Sequence, residues 1–129
     1  MEFEIPETLE KTREYLVEAK HAADFLGSGK VEVLSTPSMI LMMEQTALLA
    51  VQDYLPEGWI TVGILVNIRH LKATPKGETV RIVAKLKERD RRRLVFDVAA
   101  FHGDEKIGEG THERFIVNKE KFMASIKKN

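Results

Sequence analysis

Three side chains stand out for the chemistry they could do together: the carboxylate of Glu44, the imidazole of His70 and the hydroxyl of Thr36. The stretch from Pro37 to Leu55 (PSMILMMEQTALLAVQDYL) reads as a helix that is apolar almost all the way round. At helical spacing, Glu44 has Ile40, Leu41, Ala47, Leu48 and Val51 as neighbours. A carboxylate on such a stripe loses hydration, so it is either paired or poised for proton chemistry. His70 follows Val62, Ile64, Val66 and Ile68 in strand alternation, a position the strand reserves for an apolar side chain. Thr36 lies two helical turns before Glu44, at a helix start where free N–H groups favour developing negative charge. A hydroxyl, a carboxylate, an imidazole and a helix tip make a set suited to acyl transfer.

Each residue also has an ordinary reading. An inward histidine is more often a satisfied core residue than a catalyst. Ser35-Thr36-Pro37 could be only a helix cap, and Glu44 could be neutralised by Arg69 or Arg114. The joint spacing of the three, and no single one of them, points to a site.

The elements that must position these groups can be read from periodicity. Ser35 and Thr36 are good N-cap residues, Pro37 suits the first helical position, and Pro56-Glu57-Gly58 ends the helix beyond Tyr54. Strands come next at about Thr61 to Leu71, Thr79 to Glu88 (Val80, Ile82, Ala84 and Leu86 inward), Arg93 to His102 (Leu94, Phe96, Val98 and Ala100 inward) and Lys106 to Val117. Thr74-Pro75-Lys76-Gly77 and Gly103-Asp104 are turns. Asn118 caps a short terminal helix. Before the long helix, Glu7 to Leu26 reads either as one helix or as a strand near Arg13 to Ala19 with a helical turn closed at Gly27-Ser28-Gly29. The expected layout is α+β: one buried helix against four antiparallel strands in meander order, in a single domain covering residues 1–129. Gly108 and Gly110 would admit a second backbone or the helix close to the last strand.

Composition narrows the class. The 129 residues are 43% apolar and have no cysteine, which excludes disulfides, thiolate metal sites and a cysteine nucleophile. Twenty basic residues balance twenty acidic ones, so no bulk charge commits the chain to nucleic acid or a membrane. The acidic N-terminus lacks the pattern of a signal peptide, and Glu44, Gln45 and Asp53 interrupt the longest apolar run; a cytoplasmic protein is expected. The four histidines show no metal-ligand spacing, so neither a metal nor a redox cofactor is expected. Arg89, Arg91, Arg92 and Arg93 read as a solvated hairpin tip or as a contact for phosphates, without the interleaved aromatics of a base-reading surface.

The chain resembles the hotdog-fold thioesterases, in particular the fluoroacetyl-CoA thioesterase-like branch, from about Arg13 onward. The residues that carry the resemblance are Ser35-Thr36-Pro37, Leu41-Met42-Met43-Glu44, Tyr54-Leu55-Pro56-Glu57-Gly58, Thr61-Val62-Gly63, Val66-Asn67-Ile68-Arg69-His70, Ala73-Thr74-Pro75-Lys76-Gly77 and Gly108-Glu109-Gly110-Thr111-His112-Glu113-Arg114. The resemblance implies a sheet wrapped around the helix, a catalytic set of Thr36, Glu44 and His70, and substrate contacts at Gly63 and Arg114. It further implies an acyl-CoA substrate, with CoA as part of that substrate, and a homodimer or tetramer with sites at the subunit interface. The family's aromatic gate before the threonine is missing, since Gly27 to Val33 carries no aromatic residue, so a different small acyl group is expected. Two rivals remain: a dehydratase of hydroxyacyl thioesters on the same fold, and a non-catalytic acyl-CoA-binding module.

Overall fold

The computed structural model describes residues 3–27 and 29–127. Strand β1 (Glu10–Leu16) leads through a single 3-10 turn (Ala19–His21) and a short helix α1 (Ala23–Leu26) to the long helix α2 (Thr36–Gln52). Then come β2 (Trp59–His70), β3 (Thr79–Asp90), β4 (Arg93–His102), β5 (Glu105–Asn118) and the terminal helix α3 (Lys119–Lys127). The ambiguous first segment is therefore a strand followed by a helical turn. Its alternating exposure explains why: every second residue of β1 faces solvent, a two-residue period that a helix cannot satisfy.

All five strands form one antiparallel sheet in the order β1-β3-β4-β5-β2. The expected meander holds for β3, β4 and β5 only. β2 does not pair with β3; it crosses to the far edge and pairs along β5, from Trp59 opposite Asn118 to His70 opposite Gly108. β1 takes the vacated place beside β3. Sequential strands are usually neighbours, and here a fourteen-residue β5 that serves two partners overrides that tendency.

The sheet curls around α2. Met39, Met42, Met43, Ala47 and Val51 of the helix are buried against Val80, Ile82 and Ala84 of β3 and Leu94, Phe96 and Val98 of β4. Each fully buried side chain of the larger kind stabilises the fold by roughly 1.5–3 kcal/mol. The unbranched methionines suit the irregular space between a straight helix and a curved sheet. Gly108 faces the helix: a Cβ there would lie 2.5 Å from the Met39 sulfur. At Gly110 a Cβ would lie 2.0 Å from the Asn67 carbonyl oxygen, so this glycine admits the backbone of β2.

The basic corner between β3 and β4 is partly engaged by the protein's own chain. Arg89 donates to the Phe3 carbonyl at 2.8 Å, Arg92 lies 4.9 Å from the Trp59 ring centroid, and Arg93 pairs with Glu113 at 3.0 Å. Arg89, Arg92 and Arg93 tie the N-terminal segment and the β2–β5 edge to the hairpin, while Arg89 and Arg91 remain exposed.

Candidate active site

Sequence leaves open whether Ser35 or Thr36 caps α2, and the backbone resolves it. Ser35 is the N-cap, its side chain accepting from the Ser38 N–H at 3.1 Å. The Thr36 hydroxyl is thereby released from capping and lies 2.7 Å from His70 Nδ1. The other ring nitrogen of His70, Nε2, is buried without a hydrogen-bond partner among the described residues. Burial lowers the pKa of His70, opposed by a backbone hydrogen bond at Lys72, which favours the neutral ring. A cavity of about 460 Å³ opens beside the pair, lined by Val31, Val33, Leu34, Leu71 and Lys72 among others.

Glu44 stands elsewhere. Eight residues of helix separate it from Thr36, about 12 Å at 1.5 Å per residue. It lies in a half-buried row with Ile40 and Leu48, on the margin between the buried and exposed sides of α2. Its carboxylate faces Gly63 of β2: a Cβ on that glycine would lie 2.9 Å from Glu44 Oε2, 3.2 Å from His112 Cε1 and 3.4 Å from Arg114 Nη1. The missing side chain leaves a gap on which a carboxylate, an imidazole and a guanidinium converge. Arg114 is buried and directs its hydrogen bonds to Thr61 Oγ1 (2.8 Å), the Thr61 carbonyl (3.0 Å) and His112 Nε2 (3.1 Å), none of them to Glu44. Burial lowers the Arg114 pKa, and the charge of Glu44 raises it again. Arg69, the other candidate partner of Glu44, is exposed and lines a separate cavity of about 560 Å³ on the outer face of the sheet.

Within one chain the structure thus forms two groups: Thr36 with His70, and Glu44 with Gly63 and Arg114. The expected inward face of β2 needs correction. Thr61 and Gly63, not Val62 and Ile64, share the helix-facing side before a register shift between Gly63 and Leu65; beyond it Val66, Ile68 and His70 take that side as expected, Ile68 packing on the core and Val66 remaining about half exposed at the sheet edge. Such a bulge inserts one extra residue and turns the later side chains of the strand to the opposite face. Gly63 and His70, seven residues apart and of opposite parity, can therefore both face the helix. Thr61 and His112 belong to the site although sequence reasoning does not single them out. Two-residue spacing back from the buried Ile116 through Arg114 to His112 is the signal that could have found the histidine.

An antiparallel sheet wrapped on one long helix defines the hotdog fold. The chain belongs to the fluoroacetyl-CoA-specific thioesterase family, which it matches over residues 17–120. It is 38% identical over 96 residues to the fluoroacetyl-CoA thioesterase of Streptantibioticus cattleyicolor, a match covering 74% of this chain and 69% of that protein. The solved structure of the fluoroacetyl-CoA thioesterase FlK superposes with a TM-score of 0.89 at 30% identity, covering 98% of both chains. A phenylalanine-to-alanine variant of FlK has been crystallised with fluoroacetate and CoA. A hot-dog-like protein from Thermanaerovibrio acidaminovorans shares the fold (TM-score 0.87, 19% identity, 94% of this chain and 90% of that one).

Proposed function

We propose that this chain hydrolyses the thioester of a small acyl-CoA, with Thr36, Glu44 and His70 as its catalytic set and two copies of the chain completing each site. Glu44 attacks the acyl carbon to give a mixed anhydride, or activates a water that does so. By either course the C–S bond breaks, CoA leaves as the thiol, and water supplies the new hydroxyl of the acid. His70 relays the proton, and Thr36 with the N–H groups of the α2 tip holds the acyl oxygen as it gains negative charge. Gly63 leaves room for the acyl group beside Glu44, and Arg114 offers a buried positive charge to the anionic product.

One observation carries the reading: the two halves of the set stand about two helical turns apart along α2, beside an edge strand that pairs with β5 on one side and has no strand on its other side among the described residues. Ile64, Leu65 and Val66 on that edge are 51%, 43% and 47% exposed. Such a strand is a template for pairing. Antiparallel pairing of β2 with β2 of a second copy reverses one chain against the other. Centred near Val66, such pairing brings the Thr36–His70 end of one copy to the Glu44–Gly63 end of the other, and twofold symmetry makes the contact reciprocal. The lining beside Thr36 and His70 is aliphatic, through Val31 and Val33, which fits a small acyl group other than fluoroacetyl.

Thiol release from acyl-CoAs of graded chain length tests the proposal. Glu44→Gln is expected to lower kcat at least about 100-fold, the usual scale for losing a general base or nucleophile, while retaining the circular-dichroism spectrum. Wild-type turnover by that variant, or no thiol released from any acyl-CoA by the wild type, defeats it.

A further inference from the structure

His112 is wholly buried, and the hydrolysis by Thr36, Glu44 and His70 makes no use of it. Its two ring nitrogens have partners that each allow one role only. Nδ1 lies 2.8 Å from the Leu65 carbonyl oxygen, which can only accept, so Nδ1 carries the proton. Nε2 lies 3.1 Å from Arg114 Nη1, which can only donate, so Nε2 presents its lone pair. The ring is therefore neutral and of one tautomer. A second proton would set N–H against N–H beside a fixed positive charge.

Arg114 shows what this achieves. Its Nε and Nη2 are anchored on Thr61, and only Nη1 is left near the gap at Gly63. Glu44 Oε2 and Arg114 Nη1 border the same point, the position of the absent Gly63 Cβ, at 2.9 and 3.4 Å. A guanidinium and a carboxylate so placed would ordinarily close into an ion pair. Here Nη1 donates to His112 instead. We infer that His112 is a positioning residue for the hydrolysis: as a neutral acceptor it holds Arg114 beside Glu44 but off it, so that the carboxylate keeps the positive field and stays free to react. The inference rests on the hydrolase reading of Glu44. The charged groups facing the ring are Arg114 and Glu113 from β5 and Glu44 from α2; burial, aided by the Arg114 charge, favours the neutral form against the Leu65 hydrogen bond and the two carboxylates.

His112→Leu removes the acceptor; His112→Gln restores one near the position of Nε2. In the leucine variant kcat is expected to fall at least about tenfold with KM changed less than threefold, and its crystal structure should show Arg114 paired with Glu44. The glutamine variant should recover to within a few-fold of wild type, with thermal unfolding showing that both are folded. Wild-type kcat in the leucine variant, or equal damage in both folded variants, overturns the inference. Should the leucine variant not fold, the imidazole ¹⁵N shifts of the wild type decide. They are expected to show a neutral Nδ1–H ring at pH 7, and an imidazolium or an Nε2–H ring there overturns the inference. Those shifts are read without turnover. An inactive wild type would therefore defeat the hydrolase reading while the His112–Arg114 arrangement is decided separately.

Discussion

A histidine buried in its neutral form is at ease at neutral pH and destabilising in acid. Burial lowers the pKa of both His70 and His112 below the ordinary 6.5. The unfolded chain then binds more protons than the folded one as pH falls through 6.5, so stability is lost from there down to the depressed folded values. Urea unfolding at half-unit steps is expected to give a constant free energy from pH 8 to about 7, then a decline towards pH 5.5. Paired carboxylates do not confuse this window: Glu32 and Glu109, whose pKa values are lowered by Lys76 and Lys106, lose their contribution only below 4.5. A flat profile from pH 8 to 5.5 would show that neither ring is buried neutral. At this scale the sequence exposes Glu44, His70 and Thr36, because each breaks or begins a periodic pattern. It does not distinguish Ser35 as cap from Thr36 as free hydroxyl, since both residue types cap well and a one-residue choice is settled by backbone angles.

Among the elements, β2 and β5 decide the site together. The bulge after Gly63 re-aims His70, and the two glycines of β5 let the helix and β2 approach. Gly110→Ala is the sharpest test. Its Cβ would meet the Asn67 carbonyl at 2.0 Å, a backbone atom that cannot turn aside. A loss of about 1–3 kcal/mol or more is expected from such overpacking, read by denaturant titration, with faster amide exchange along β2 than along β3. An alanine variant as stable as wild type would mean that β2 and β5 can move apart at little cost. The glycines are legible in the sequence as points of close approach. The bulge is not, because alternation is read on the assumption of an unbroken period. For the same reason Val62 and Ile64 are assigned to the core by their pattern although Thr61 and Gly63 hold the helix-facing side there, while Ile68, beyond the bulge, does pack on the core.

For the whole molecule, the apolar edge of β2 is where the proposed second copy would pair. Val66→Lys places a charge on the proposed seam in both copies. The expected outcome is a monomer by sedimentation at micromolar concentration, with an unchanged far-ultraviolet spectrum and thiol release reduced at least about tenfold. A fully active monomer would show that one chain holds a complete site. Among the described residues no helix is long and apolar enough to cross a membrane.

The sequence by itself determined the α+β class, the long helix, the strands after it and the odd residues upon them. Hydrophobic period and cap chemistry are local and survive in a single line of letters. Tertiary structure decided the order of strands, the side to which β2 turns its residues, and the division of the set into a Thr36–His70 pair and a Glu44–Gly63–His112–Arg114 group. These depend on which distant segments share hydrogen bonds, and on a single added residue in β2. Neither leaves a mark on the pattern of its own strand.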